Sequence, residues 1–273
     1  MRHKRRRRID GSEKDSELNS IEMKLSLLYT YFNGFDQLIN SIEKMHDLVD
    51  SVVVCYQTTS NKGHVSGTIE SELNHLSNTF PNVILLNWEP NPNSDTKQNE
   101  RDKHNFMIQH IKQTDSTHFI MSACDHVYTS GHIEVAKKKM ISENLDICFT
   151  KMFTYYKHEN WRVDPIEEYF MPFIHKLHAS TKIVTGKYPA YVDPSVKVNT
   201  CKRFHIFKPS ECIMHHYSMV RNDIENKFNN AAASVRWTPE QIKTFIDEYN
   251  NAKLGNAITY FSGRRLVHVH ERT

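Results

Sequence analysis

Apolar positions along the first half of the chain alternate between two rhythms. Short runs rich in β-branched and aromatic residues recur at Leu25 to Phe32, Val49 to Tyr56, Val83 to Trp88, His118 to Ala123 and Leu145 to Tyr156. Their length and composition predict buried strands. Between them the apolar residues fall at helical spacing: Leu38, Ile42 and Met45; Ile69, Leu73, Leu76 and Phe80; Met107, Ile108 and Ile111; Ile133, Ala136 and Met140. Strand and helix in alternation predict an α/β fold, a mostly parallel central sheet with helices on both faces.

After Tyr156 the rhythm breaks. The Pro- and aromatic-rich segments DPIEEYFMPF and KYPAYVDPS predict a loop-rich cap over the end of the sheet. Two helices are expected to close the chain. One runs from about Ser218 to Ala232 with Ile224 and Phe228 inward. The other starts at Thr238 as N-cap, with Pro239 in the first helical position and Gln241 completing a capping box. Residues 1–22 are polar and charged and read as a disordered basic arm. The body is then expected to be one continuous domain of two parts, 23–156 and 157–273.

The chain has 273 residues, a formal charge of +3 and 38% hydrophobic residues, enough for a substantial core. Six basic residues lie among the first eight positions. Across the remainder acids outnumber bases by three, which excludes a uniformly basic nucleic-acid coat. No apolar run is long enough to span a membrane, and no apolar segment follows the basic tip as a secretory signal would require. Five cysteines without a C-x-x-C pair argue against a disulfide framework and a cysteine zinc site, and predict a reducing, cytoplasmic location.

Gly-rich phosphate loops, the nucleophile elbow of hydrolases and the H-E-x-x-H zinc helix are all absent. Three segments carry candidate chemistry instead. THFIMSACDHVY, residues 117–128, is an apolar strand ending in the lone carboxylate Asp125. Carboxyl ends of strands form the ligand crevice of open α/β sheets, so Asp125 is a candidate for a hard divalent cation or phosphate site. A turn or helix-capping role explains it equally well. KQNERDKHNF, residues 97–106, opens the preceding helix, where Arg101 and Lys103 lie near an N-terminus suited to anions; a solvated helix face is the alternative. MHHYSMVR, residues 214–221, puts His215 and His216 at a strand end, where alternation lets one of them face a given site, with Arg221 able to neutralise phosphate; in a chain of 17 histidines a structural role is the reading the pair favours when taken alone.

In this order the three segments resemble a GT-A-fold glycosyltransferase of the inverting, family-two-like type found in bacteria and bacteriophages, over roughly residues 23–232. The resemblance implies a GT-A-like, Rossmann-like sheet, with 23–156 as the nucleotide-sugar-binding half and 157–273 as the acceptor-binding half. YTYFNG after the first strand resembles the segment that meets the nucleotide, which implicates Thr30, Tyr31 and Asn33. Ala123-Cys124-Asp125 resembles the Asp-x-Asp motif, with Ala123 replacing the first acid, Asp125 in the metal-touching position and His126 where another acid is common. His215 or His216 would complete the coordination of a divalent metal, Mn or Mg, on the donor diphosphate. Arg101, Lys103 and Arg221 would stabilise the charge of the departing phosphate.

DPIEEYFMPF resembles the acceptor side, where a carboxylate acts as general base. Asp164, Glu167 and Glu168 are the candidates, and Asp164 is favoured by its place before Pro165 at an expected helix start. Trp161 and Tyr169 are candidates for stacking. The implied donor is a nucleotide sugar, a UDP-sugar foremost. The lysines and arginine of residues 176–208 suit a polyanionic acceptor, such as a hydroxymethylated pyrimidine in phage DNA; a surface glycan or lipid-linked sugar is the alternative. Rival readings are a non-catalytic nucleic-acid-binding protein working through Arg5 to Arg8, and a nucleotidyltransferase.

Overall fold

The computed structural model describes residues 22–230 and 237–269. The basic arm, apart from Glu22, lies outside them. The expected alternation is present: β1 (Leu25–Tyr31), α1 (Phe35–Met45), β2 (Ser51–Tyr56), α2 (Ile69–Thr79), β3 (Val83–Asn87), α3 (Thr96–Ile111), β4 (His118–Ala123), a short β5 (His126–Val127), α4 (Ser130–Ser142) and β6 (Ile147–Tyr156). The parallel centre of the sheet runs β3-β2-β1-β4.

β1, β2 and β4 are buried on both faces and the edge strand β3 is half-buried, which is why they read as nearly continuous apolar runs. On β1, Leu25, Leu27, Tyr29 and Tyr31 pack with Leu38, Ile42 and Met45 of α1, Leu76 of α2 and Ile133 of α4. Leu28 points the other way, to Met107, Ile108 and Ile111 of α3. Each such fully buried aliphatic side chain contributes about 1.5–3 kcal/mol, so the two faces of β1 anchor the whole layer.

Beyond β4 the sheet turns antiparallel and departs from the expected loop-rich cap. β8 (Met171–Lys176) slots between β4 and β6, antiparallel to both. β7 (His158–Asp164) pairs with β6, and β12 (Arg264–His268) with β7, ending at β11 (Ala257–Ile258). Asp164 therefore closes a strand opposite Arg265; no helix starts there, because cross-strand pairing takes the segment. Residues 177–203 are irregular, as expected.

The helix expected from Ser218 begins later. Ser218 and Met219 belong to β10 (Ile213–Met219), which pairs with β5 and β6, and α5 spans Ile224–Asn230. Ala232 lies outside the described residues. Helix α6 (Pro239–Asn251) carries the predicted capping box of Thr238 and Gln241.

Candidate functional site

A cavity of about 820 Å³ opens at the carboxyl ends of β1 and β4, where Thr30, Ser122 and Ala123 form part of its lining. This is the crevice position expected for ligands of an open α/β sheet. Alternation on β1 separates its neighbours. Tyr31 is buried on the opposite face, its hydroxyl donating to Glu72 Oε2 of α2. Asn33 lines a second cavity of about 700 Å³ beside Gly34, His64 and Asn226.

Asp125 follows β4 in a turn and is buried, 6% exposed. Its backbone carbonyl accepts from Tyr217 N at 2.9 Å, and His126 pairs with His216 across β5 and β10, so β10 is fastened over the turn. The carboxylate meets two cations on one oxygen: Arg221 Nη2 at 3.0 Å and Lys227 Nζ of α5 at 3.6 Å from Oδ2. Burial disfavours its charge, but Lys227 and Arg221 outweigh burial and hold the carboxyl far below the usual carboxylate range. Arg221 also donates to Ser218 O at 3.1 Å and Asn33 Oδ1 at 3.4 Å. Gly34 makes room for it: a Cβ there would lie 2.5 Å from Arg221 Nη1, and its φ of 86° already favours glycine. Arg221 thus neutralises Asp125 directly.

The other oxygen, Oδ1, faces His126 Nε2 and His216 Nε2, each at 3.8 Å. Ligand atoms of Asp125, His126 and His216 lie within 4.8 Å of one another, a spacing able to hold a divalent ion. The imidazoles differ in what they offer. His126 Nδ1 accepts from the Ala123 amide at 3.2 Å, so a neutral ring carries its proton on Nε2. His216 Nδ1 has no partner, and burial pushes the ring down to about 3, leaving it neutral at pH 7. Asp125 Oδ1 and His216 Nε2 therefore fit as a ligand pair completed by substrate oxygens. His215 points elsewhere: its Nδ1 meets Tyr155 Oη at 2.8 Å, and its ring stacks on Tyr155 and His132. Strand alternation brings only His216 to Asp125.

From α3, Lys103 and His104 line the cavity. Lys103 is buried, donates to Gln57 Oε1 at 2.8 Å and lies 5.7 Å from the centre of the Trp88 ring; burial lowers its pKa. No ion pair to it occurs among the described residues, so a bound anion would supply the charge partner that burial withholds. Arg101 is not in the lining and binds Gln98 Oε1 at 2.7 Å on its own helix.

Of the three carboxylates considered as base, Glu167 and Glu168 line the cavity. Glu167 Oε1 accepts from Thr154 Oγ1 at 2.6 Å, which fixes the group. Asp164 does not line it and sits 3.5 Å from Arg162 Nη2. Tyr169 lines the cavity, whereas Trp161 packs with the cluster around Tyr156 and Phe228.

None of the basic residues of 176–208 lines the cavity. Lys176 binds Asn144, Lys197 donates to Gly186 O, and Arg203 pairs with Asp146 at 3.4 Å. Lys227 carries no local signal in the sequence, being a lysine about one turn into a short, mostly polar helix. His126 carried one only through its place after Asp125.

No protein-family model matches the chain, and no curated protein does. Among solved structures it is similar to TarS residues 1–349 from S. aureus, with 12% identity over 76% of this chain and 63% of that one, at a TM-score of 0.46. The same protein in complex with UDP-GlcNAc aligns at 16% identity over 50% of this chain and 36% of that one, TM-score 0.35. A mannosyltransferase from Pyrobaculum calidifontis in complex with GDP-Man and Mn2+ aligns at 11% identity over the same shares, TM-score 0.35. The chain thus spans less than two thirds of the length of each. No helix among the described residues is long and apolar enough to cross a membrane.

Proposed function

We propose that the protein transfers a sugar from a nucleoside-diphosphate sugar to an acceptor hydroxyl, with inversion at the anomeric carbon. The observation that carries this reading is the joint lining of one cavity by Lys103 and His216 and by the carboxylates Glu167 and Glu168, at the carboxyl ends of β1 and β4. The motif order that resembles a GT-A glycosyltransferase supports it from the sequence.

Lys103 receives the diphosphate, and the positive surplus of Arg221 and Lys227 over Asp125 adds to its field. His126, with its proton on Nε2, is a further donor. A divalent ion, Mn or Mg, held by Asp125 Oδ1 and His216 Nε2 would supply the remaining charge stabilisation for the leaving group. The bond between the anomeric carbon and the phosphate oxygen breaks, the acceptor oxygen forms the new bond, and Glu167 takes the acceptor proton. Glu167 is assigned this role over Asp164 because it reaches the cavity and Asp164 does not.

The test is turnover of a panel of UDP-, GDP- and TDP-sugars with and without manganese, and the anomeric form of the product by NMR. Donor cleavage that is lost in Asp125→Asn and His216→Ala is the expected result. Absence of both binding and turnover across the panel overturns the proposal.

A further inference from the structure

The cavity that would take the donor extends to a second wall of different chemistry. Its charged lining comprises four carboxylates, Glu100, Glu167, Glu168 and Asp193, against three cations, Lys97, Lys103 and Arg264. Lys97 is already bound to two of the carboxylates, Glu100 at 3.0 Å and Asp193 at 3.2 Å. Lys103 belongs to the diphosphate end. What remains toward the acceptor side is Arg264, which donates to Phe261 O at 3.2 Å and lines the cavity together with Glu167 and Glu168. A polyphosphate strand needs a track of free cations, and the lining of this cavity offers none on the acceptor side beyond Arg264.

The same wall carries aromatic rings. Tyr169 and Tyr191 have ring centroids 4.4 Å apart, tilted by 34°, and Tyr191 donates to the Tyr169 hydroxyl at 3.3 Å. Tyr191 is 60% exposed, so one ring stands open beside the cavity it lines. Glu167 and Tyr260 line the same cavity as this pair. An open, hydroxyl-tipped aromatic pair next to a fixed carboxylate suits a ligand with a flat apolar face and many uncharged hydroxyls.

We infer that the acceptor is a neutral glycan, with one sugar ring lying on the Tyr169–Tyr191 pair and a hydroxyl delivered to Glu167. The inference rests on the sugar-transfer reading of the cavity.

The experiment uses the full chain in two arms. In the first, binding of neutral mono- and oligosaccharides is followed by saturation-transfer NMR on the wild type, Tyr191→Ala and Tyr191→Phe. In the second, transfer from the nucleotide sugar that the wild type cleaves is measured to the same saccharides and to a duplex containing hydroxymethylcytosine. The expected result is saccharide binding and transfer, with the saccharide KM raised about 3- to 10-fold in Tyr191→Ala, kcat falling less, and Tyr191→Phe close to wild type. Transfer to the duplex in preference to saccharides, or a saccharide KM indifferent to Tyr191→Ala, overturns the acceptor assignment while leaving the transferase reading intact. Tyr191-dependent saccharide binding without any nucleotide-sugar turnover retains the platform and overturns the transferase reading instead.

Discussion

The floor and the outer wall of the cavity solve opposite problems. At the floor, His126 and His216 of the lining join Asp125, Arg221 and Lys227, which lie outside the lining, in a cluster drawn out of water whose charged members are costly to leave unpaired. On the wall, Glu167, Glu168, Tyr169 and Tyr191 keep contact with solvent and lean on single neighbours. Changes at the floor should therefore disturb folding and chemistry together, whereas changes on the wall should disturb chemistry alone.

The largest expected effect is acid unfolding. Burial lowers the pKa of His104, His118 and His215 to about 4 and of His175 and His216 to about 3, from an ordinary 6.5. Between those values the unfolded chain binds more protons than the folded one. The stability these rings permit is complete above about pH 6.5 and is lost as pH falls toward 4. At on the order of 1–3 kcal/mol each, they are enough to exhaust a typical total stability of about 5–15 kcal/mol. Urea midpoints measured from pH 7.5 down to 4.5 should fall continuously; a flat profile would show that these rings are open to solvent.

Asp125→Asn comes next. It leaves Arg221 and Lys227 buried without their carboxylate, with an expected loss of about 3–5 kcal/mol in chemical denaturation and a collapse of donor turnover. Equal stability with lost turnover would move Asp125 to the wall's class. Glu167→Gln should lower kcat by roughly 10²- to 10⁴-fold with an unchanged urea midpoint, and Asp164→Asn should leave kcat within a few-fold. If the two variants exchange behaviour, Asp164 is the base. Gly34→Ala is the mildest, an expected loss of about 1–3 kcal/mol from the left-handed backbone and the displaced Arg221 guanidinium. A smaller loss for Gly34→Ala in an Arg221→Lys background than in the wild type would confirm the steric part of the cause.

The parallel layer was legible because its signal is local: Leu25, Leu27, Tyr29 and Tyr31 announce β1 whatever lies beside it. β8 was not, because Met171 to Lys176 become a strand only when β4 and β6 flank them, and Pro172 obscures the pattern. The site divides the same way. Asp125 stands out at a strand end, and alternation already said that one histidine of the pair would turn inward. Which one, and that Lys227 would join it, depends on how β10 and α5 cross the Asp125 turn, a contact spanning about ninety to a hundred residues. Arg101 and Lys103 sit two residues apart on a helix, so they face different ways, and only tertiary packing decides which is buried.

The insertion of β8 also governs how this chain can be cut or made. β4 keeps one long, apolar and unpaired edge until residue 176 has emerged, and β6 shares the same missing neighbour. A fragment ending at Tyr156 would carry the open edge of β4 and a β6 with none of its partner strands into solution, where they pair with other copies. During synthesis the first half must wait for the second, so shearing the gene between the halves should give aggregates rather than a donor-binding module.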